Sequence, residues 1–239
     1  EVVEDKVLFT SDFLGTHYAS ETLFQNDDLP DYLEAAKRYY AAIMMPFRGS
    51  VREYLELVKT IDPKIIAPSH GPVLQMPAKI VDLYADWASE TPKNKVVVAY
   101  VSMHGSTKQM ANFLVDALIQ RGIPVNQYNL LDTDSGVLGS AIVDAATIIL
   151  ATPTVLFGPH PVAVNAAYLV RALRPKTKHL GVIGSYGWGT NAVNYLAEML
   201  EPVGAEILEP VYIKGLPDEE TISDIYKLAD TIAEKHKDL

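Results

Sequence analysis

The sequence contains no cysteine, which removes disulfides, cysteine-ligated zinc and cysteinyl iron–sulfur or rubredoxin centres from the chemistry of this chain. Any metal must be held by histidine, aspartate or glutamate. Long apolar runs are also missing: none approaches the roughly 20 residues that span a bilayer. The opening EVVEDK lacks the basic and apolar regions of a signal peptide. Together these absences predict a soluble, cytoplasmic protein with no membrane partner. Positive charge is in deficit, with 20 Lys and Arg against 30 Asp and Glu, so no nucleic-acid partner is expected.

What is present is 239 residues, 49% of them hydrophobic. That is enough for a sizeable core and longer than a typical single domain, so the chain reads as two parts. Glu90-Thr91-Pro92-Lys93-Asn94 has linker composition, giving expected domains at 1–94 and 95–239. In the first, residues 2–9 (VVEDKVLF) read as a strand with an acidic turn in its middle, followed by the polar Thr10-Ser11-Asp12. Apolar residues recur at helical spacing from Leu29 to Ile43, through Leu33, Ala36 and Tyr40, and residues 49–60 repeat the pattern with Val51, Leu55 and Val58. A short buried strand then delivers Ser69-His70-Gly71, and a helix over about 77–88 leads to the linker.

The second part alternates strands with helices, which predicts a doubly wound α/β parallel sheet of flavodoxin-like order 2-1-3-4-5. Residues 95–107, KVVVAYVSMHGST, carry its first strand into a loop and a helix N-terminus. Helix periodicity runs over 106–121, through Met110, Phe113, Leu114, Ala117 and Leu118. A strand follows over 125–130, then a loop over 132–140. Further strands lie at 147–151 and 179–184 and between 206 and 214, and a helix over 218–235 closes the chain with Ile222, Ile225, Ala229 and Ile232 inward.

Three loops follow the first, third and fourth strands, and right-handed crossovers bring them to one carboxyl edge. The first, Ser102-Met103-His104-Gly105-Ser106-Thr107, offers hydroxyls and backbone N–H groups at a positive helix end, which suits a phosphate. It has neither the Gly-Lys-Ser/Thr of a triphosphate loop nor the three glycines of a dinucleotide fingerprint, so a phosphate monoester is expected. The second, Thr152-Pro153-Thr154-Val155-Leu156-Phe157-Gly158, and the third, Ser185-Tyr186-Gly187-Trp188-Gly189, offer apolar and aromatic walls for a flat ring. The cofactor that combines these needs is flavin mononucleotide, FMN.

The segments VVVAYVSMHGSTKQMA, ATPTVLFGPHP with LVRALRP after it, and GSYGWGTNAV resemble the flavodoxin half of the flavodiiron proteins. Upstream, LFTSDFLGTH, YYAAIMMPF and IIAPSHGPVL resemble the later part of that family's metallo-β-lactamase-like αβ/βα domain. The resemblance implies FMN feeding electrons to two non-haem irons that reduce dioxygen to water or nitric oxide to nitrous oxide. It implies that Asp12 of LFTSD matches the iron-bridging carboxylate and His70 of APSHG a terminal histidine ligand, both serving the metal and hence catalysis, with His17 behind them. It further implies an electron donor, reduced coenzyme F420, rubredoxin or a reductase, and a head-to-tail homodimer or homotetramer that sets the flavin of one subunit against the irons of another. The first half of the metallo-β-lactamase-like domain, with its His-x-Glu-x-Asp-His motif, is not in this sequence. Two ligands do not hold two irons. The missing ligands are therefore expected from further sequence ahead of this segment or from a separate chain; otherwise the chain is an FMN electron-carrier module without di-iron catalysis.

Overall fold

The structure, a computed structural model, describes residues 2–25, 30–75 and 77–239 and divides into compact units at Glu1–Glu90 and Thr91–Leu239. The division falls ahead of Asn94 because β-sheet hydrogen bonding in the second unit already begins at Lys93, whose N–H donates to Asp144 O at 2.7 Å. In the first unit Val2 makes only an isolated bridge to Val7 across the acidic turn. The strand expected over 2–9 is therefore shorter and shifted, β1 (Val7–Ser11). It joins β2 (Phe24–Gln25), β3 (Ile65–Pro68) and β4 (Val73–Gln75) in the order β1-β3-β4-β2, with β1 parallel to β3.

The helices of this unit are α1 (Pro30–Tyr39), α2 (Arg48–Ile61) and α3 (Ala78–Ala88), with α2 packed on α3. The helix start expected at Leu29 lies outside the described residues. The expected continuation to Ile43 is corrected by a π-helical turn over Tyr40–Met44 and a 3-10 turn over Met45–Phe47. A π turn inserts one residue into the helical ladder, rotating the side chains that follow. Consequently Met45 is buried while Ile43 is exposed. Tyr40 then packs on Tyr84 and Trp87, with ring centroids 5.2 and 5.4 Å away.

The second unit is built on β5 (Lys93–Tyr100), β6 (Val125–Asn129), β7 (Ala145–Val155), β8 (Gly158–Pro159), β9 (His179–Tyr186), β10 (Glu206–Ile207) and β11 (Val211–Lys214). Its path is β10-β9-β7-β5-β6, with β11 also on β9, and every pair along it is parallel. Counting β10 and β11 as one broken fifth strand, this is the expected order 2-1-3-4-5. The break falls at Pro210, which has no N–H to give to a ladder. Strand β7 outruns its expected end at residue 151: β5 stops pairing there, so Pro153 costs no donor on that side, and pairing to β9 continues to Pro153↔Ser185.

Helices α4 (Ser106–Gln120), α5 (Ser135–Ile142), α6 (Pro161–Leu173), α7 (Ala192–Leu200) and α8 (Glu219–Lys235) complete the unit. The loop expected over 132–140 is corrected by α5. Gly136 and Gly139 disguise it in the sequence, but Asp134 caps Gly136 N–H at 2.8 Å, and Leu138, Ala141 and Ile142 are buried. Helix α4 buries Met110, Leu114 and Leu118 in one cluster with Ile225, Leu228 and Ile232 of α8. Each such side chain contributes about 1.5–3 kcal/mol, which fixes the axis of α4 and with it the loop at its N-terminus.

Candidate functional site

The loop between β5 and α4 owes its shape to Gly105, whose φ of +93° lies in the left-handed region that side-chained residues avoid. The turn lets Gly105 N–H donate to Ser102 Oγ at 3.1 Å and presents the first turn of α4 outward. Ser106 Oγ lies 2.8 Å from Ser185 Oγ, joining the first loop to the third. Thr107 is fully buried, and its Oγ1 has no hydrogen-bond partner among the described residues. A buried hydroxyl without a partner costs about 1–3 kcal/mol. An anion oxygen at the α4 N-terminus is the kind of group that would relieve that cost, so the donor set fits a phosphate.

Beyond β7 the chain makes a two-residue hairpin, Val155 pairing with Gly158 across Leu156 and Phe157. Both tip residues have positive φ, 48° and 73°, a conformation normally filled by Asn-Gly. Holding two apolar residues there costs on the order of 1–3 kcal/mol each. The strain serves to display them: Leu156 is 99% and Phe157 61% exposed. The tip is tied to the third loop by Asn191 N–H donating to Phe157 O at 2.8 Å. Trp188 stands fully exposed on that third loop.

Between the loops lies a cleft of about 330 Å³ lined by Met103, Ser106, Pro153, Thr154, Tyr186 and Leu216, among others. It contains residues from all three expected loops, including His104, Ser185 and Gly187. Thr107 lies beneath it as a buried residue, Thr152 is buried and accepts from His160 N–H at 3.0 Å, and Gly189 packs under the Phe157 ring. Leu156, Phe157 and Trp188 do not line the cleft but stand exposed on the adjoining loops. Gly215 and Leu216, after β11, are a fourth contribution that the sequence reading missed. Their signal was a glycine directly after the strand expected between 206 and 214, the position that Gly187 holds after β9.

In the first unit the polar ends of β1 and β3 are knitted together, Ser69 N–H donating to Ser11 O and Thr16 N–H to His70 O, at 2.8 and 3.1 Å. This brings His70 Nε2 to 3.4 Å from Asp12 Oδ1, with both side chains about half exposed. His17 packs edge-on to His70 with ring centroids 5.8 Å apart, and Tyr39, the last residue of α1, lies 4.8 Å from His17. Burial, helped by the Asp12 carboxylate, raises the Tyr39 phenol above its ordinary pKa. Among the described residues no group of three or more His, Asp or Glu side chains is placed to hold a metal. Asp12 and His70 are thus brought together, yet as a pair they do not fit two irons.

The profile of the flavodoxin family matches residues 98–228. The chain is 33% identical over 99% of its length to the nitric oxide reductase of Moorella thermoacetica, of which it covers 61%. Among solved structures it superposes on rubredoxin oxygen:oxidoreductase from Desulfovibrio gigas with TM-score 0.91, at 29% identity and covering 98% of this chain and 60% of that one. The flavodiiron protein of Giardia intestinalis gives TM-score 0.83 at 26% identity, covering 98% of this chain and 61% of that one. The chain thus spans about three-fifths of the length of the relatives it matches. It belongs to the flavodoxin family over residues 98–228, and its fold is like that of the flavodiiron proteins, the flavodoxin-like sheet preceded by a portion like a metallo-β-lactamase domain.

Proposed function

We propose that the second unit binds FMN and that the chain is the flavin-bearing portion of a flavodiiron oxidoreductase, which passes electrons to a di-iron site reducing dioxygen or nitric oxide. The observation that carries this reading is the convergence of a neutral-donor loop, with its unpartnered Thr107 hydroxyl, and an aromatic loop on one cleft. Gly105 and the first turn of α4 would hold the phosphate by backbone N–H groups, with Ser102, Ser106 and Thr107 adding hydroxyls. Tyr186 would form a wall for the ring, and the exposed Trp188, Leu156 and Phe157 on the adjoining loops would exclude water from it. When bound, FMN supplies electron transfer.

Electrons would come from reduced coenzyme F420, rubredoxin or a reductase, and a head-to-tail homo-oligomer would bring flavin and iron sites together. Asp12 and His70 would contribute a bridging carboxylate and one imidazole, hard donors that suit iron. Their being only a pair favours one of two arrangements: further ligands from additional polypeptide, or an FMN electron carrier that performs no di-iron catalysis. The test is to purify the chain, denature it and chromatograph what is released. FMN in near-stoichiometric amount is expected; FAD, or no flavin even after FMN is added, would overturn the assignment. Iron content and nitric oxide or dioxygen consumption, with and without the complementing polypeptide, separate the oxidoreductase from the carrier.

A further inference from the structure

Behind the cleft runs a chain of four hydroxyl-containing links. Tyr212, on β11, donates to Thr152 O at 3.1 Å and lies 3.0 Å from Thr154 Oγ1, which is 2.8 Å from Thr190 Oγ1, which accepts from Ala192 N–H at 3.0 Å. The directions follow by counting protons. Tyr212 has one hydroxyl proton and gives it to the carbonyl of Thr152, so toward Thr154 its oxygen accepts. Thr154 has therefore given its own proton to Tyr212, and Thr190 must donate to Thr154. One lone pair is left on Thr154 Oγ1, and no proton.

Thr154 lines the cleft. We infer that the Tyr212 chain locks the Thr154 hydroxyl as a pure hydrogen-bond acceptor in the lining of the cleft, so that it favours the ring state bearing the additional N–H. The inference rests on the flavin reading and deepens it: Thr154 sets which redox state the cleft prefers, and Tyr212 is the positioning residue behind it. The surroundings are built for this contact. Gly184 leaves the space Tyr212 needs, since a Cβ there would stand 2.6 Å from the Tyr212 ring and 1.9 Å from Thr152 O. The Tyr186 ring, which lines the cleft, stacks on Tyr212 at 6.2 Å with an interplanar angle of 6°. Burial raises the Tyr212 phenol above its ordinary pKa, so the proton stays in place throughout the neutral range.

Tyr212→Phe removes the acceptor of the Thr154 proton, freeing that hydroxyl to rotate and donate. The experiment is to load the full chain with FMN and measure its two-electron midpoint potential by dye equilibration, alongside FMN affinity and the thermal unfolding midpoint. Tyr212→Phe and Thr154→Val should weaken binding of the reduced relative to the oxidised ring by about threefold to tenfold, a potential lower by about 15–30 mV for a two-electron couple. Thr154→Ser should restore the original potential. Should Tyr212→Phe fold poorly, Thr190→Val supplies the second arm: it leaves the Thr154 proton on Tyr212, so the potential should stay within a few millivolts while the loop loosens. FMN bound with the same potential in Tyr212→Phe and Thr154→Val overturns the inference and leaves the flavin reading intact. Failure of the unsubstituted chain to bind FMN overturns both.

Discussion

Ser106 Oγ and Ser185 Oγ meet at 2.8 Å, although the two residues sit on different loops after different strands. One of the two hydroxyls donates to the other and keeps its partner's remaining proton free to turn outward, so the pair offers a donor to the cleft between them. Ser106→Ala should weaken FMN binding by about threefold to tenfold, the equivalent of one hydrogen bond of about 0.5–1.5 kcal/mol. Fluorescence titration with FMN measures it; unchanged affinity would remove Ser106 from the site.

Thr107 gives a prediction in which two observables move in opposite directions. Its unpartnered buried hydroxyl costs stability in the free protein, and valine has nearly the same shape without the oxygen. Thr107→Val should therefore raise the unfolding midpoint of the free chain while weakening FMN binding. A fall in both would mean that the hydroxyl has a structural partner instead.

Trp188 is fully exposed, so its removal has little to cost the fold. Trp188→Ala should leave stability within about 0.5 kcal/mol yet reduce FMN affinity by about 0.5–1.5 kcal/mol of aromatic contact. Flavin titration together with urea unfolding checks both halves of the statement.

Acid should loosen the second unit through His236. This residue is buried, with Nε2 2.7 Å from Thr147 Oγ1 and Nδ1 2.8 Å from Asn94 Oδ1, and burial, together with the neighbouring His179, lowers its pKa to about 4. Between that value and the ordinary 6.5 of an unfolded histidine, the unfolded chain binds more protons, so stability is present above pH 6.5 and is lost as pH falls toward 4. Urea midpoints from pH 7 to 4 should show this loss, and His236→Gln should flatten the histidine part of it.

Metal loading tests the first unit. With Asp12 and His70 brought together and no group of three or more His, Asp or Glu placed to hold a metal among the described residues, the chain alone should retain far fewer than two irons after ferrous loading and desalting. Adding the polypeptide that carries the missing histidine motif should raise the iron content, and Asp12→Ala or His70→Ala should lower it again. Two irons held by residues 1–239 alone would contradict the ligand assignment.

The sequence by itself determined the elements that local chemistry controls. The β-branched run before Ser102, the apolar spacing of α4 and α8, and the glycines after three strands made the parallel sheet and its loop edge legible. Motif resemblance singled out Asp12 and His70, although each alone looks like an ordinary loop residue. Tertiary structure decided what depends on partners distant in the chain. The π turn at Tyr40 rotated Ile43 out of the core because packing around Tyr84 and Trp87 outweighs a regular helical period. Helix α5 formed despite two glycines because burying Leu138 and Ile142 outweighs their propensity cost of about 1 kcal/mol each. The hydroxyl chain from Tyr212 to Thr190 could not be read from residue order, since it joins β11, the β7 hairpin and the start of α7 only when the sheet stands in its folded register. Hydrogen-bond direction is fixed by counting protons around that assembled network, and a linear sequence does not contain the neighbours to be counted.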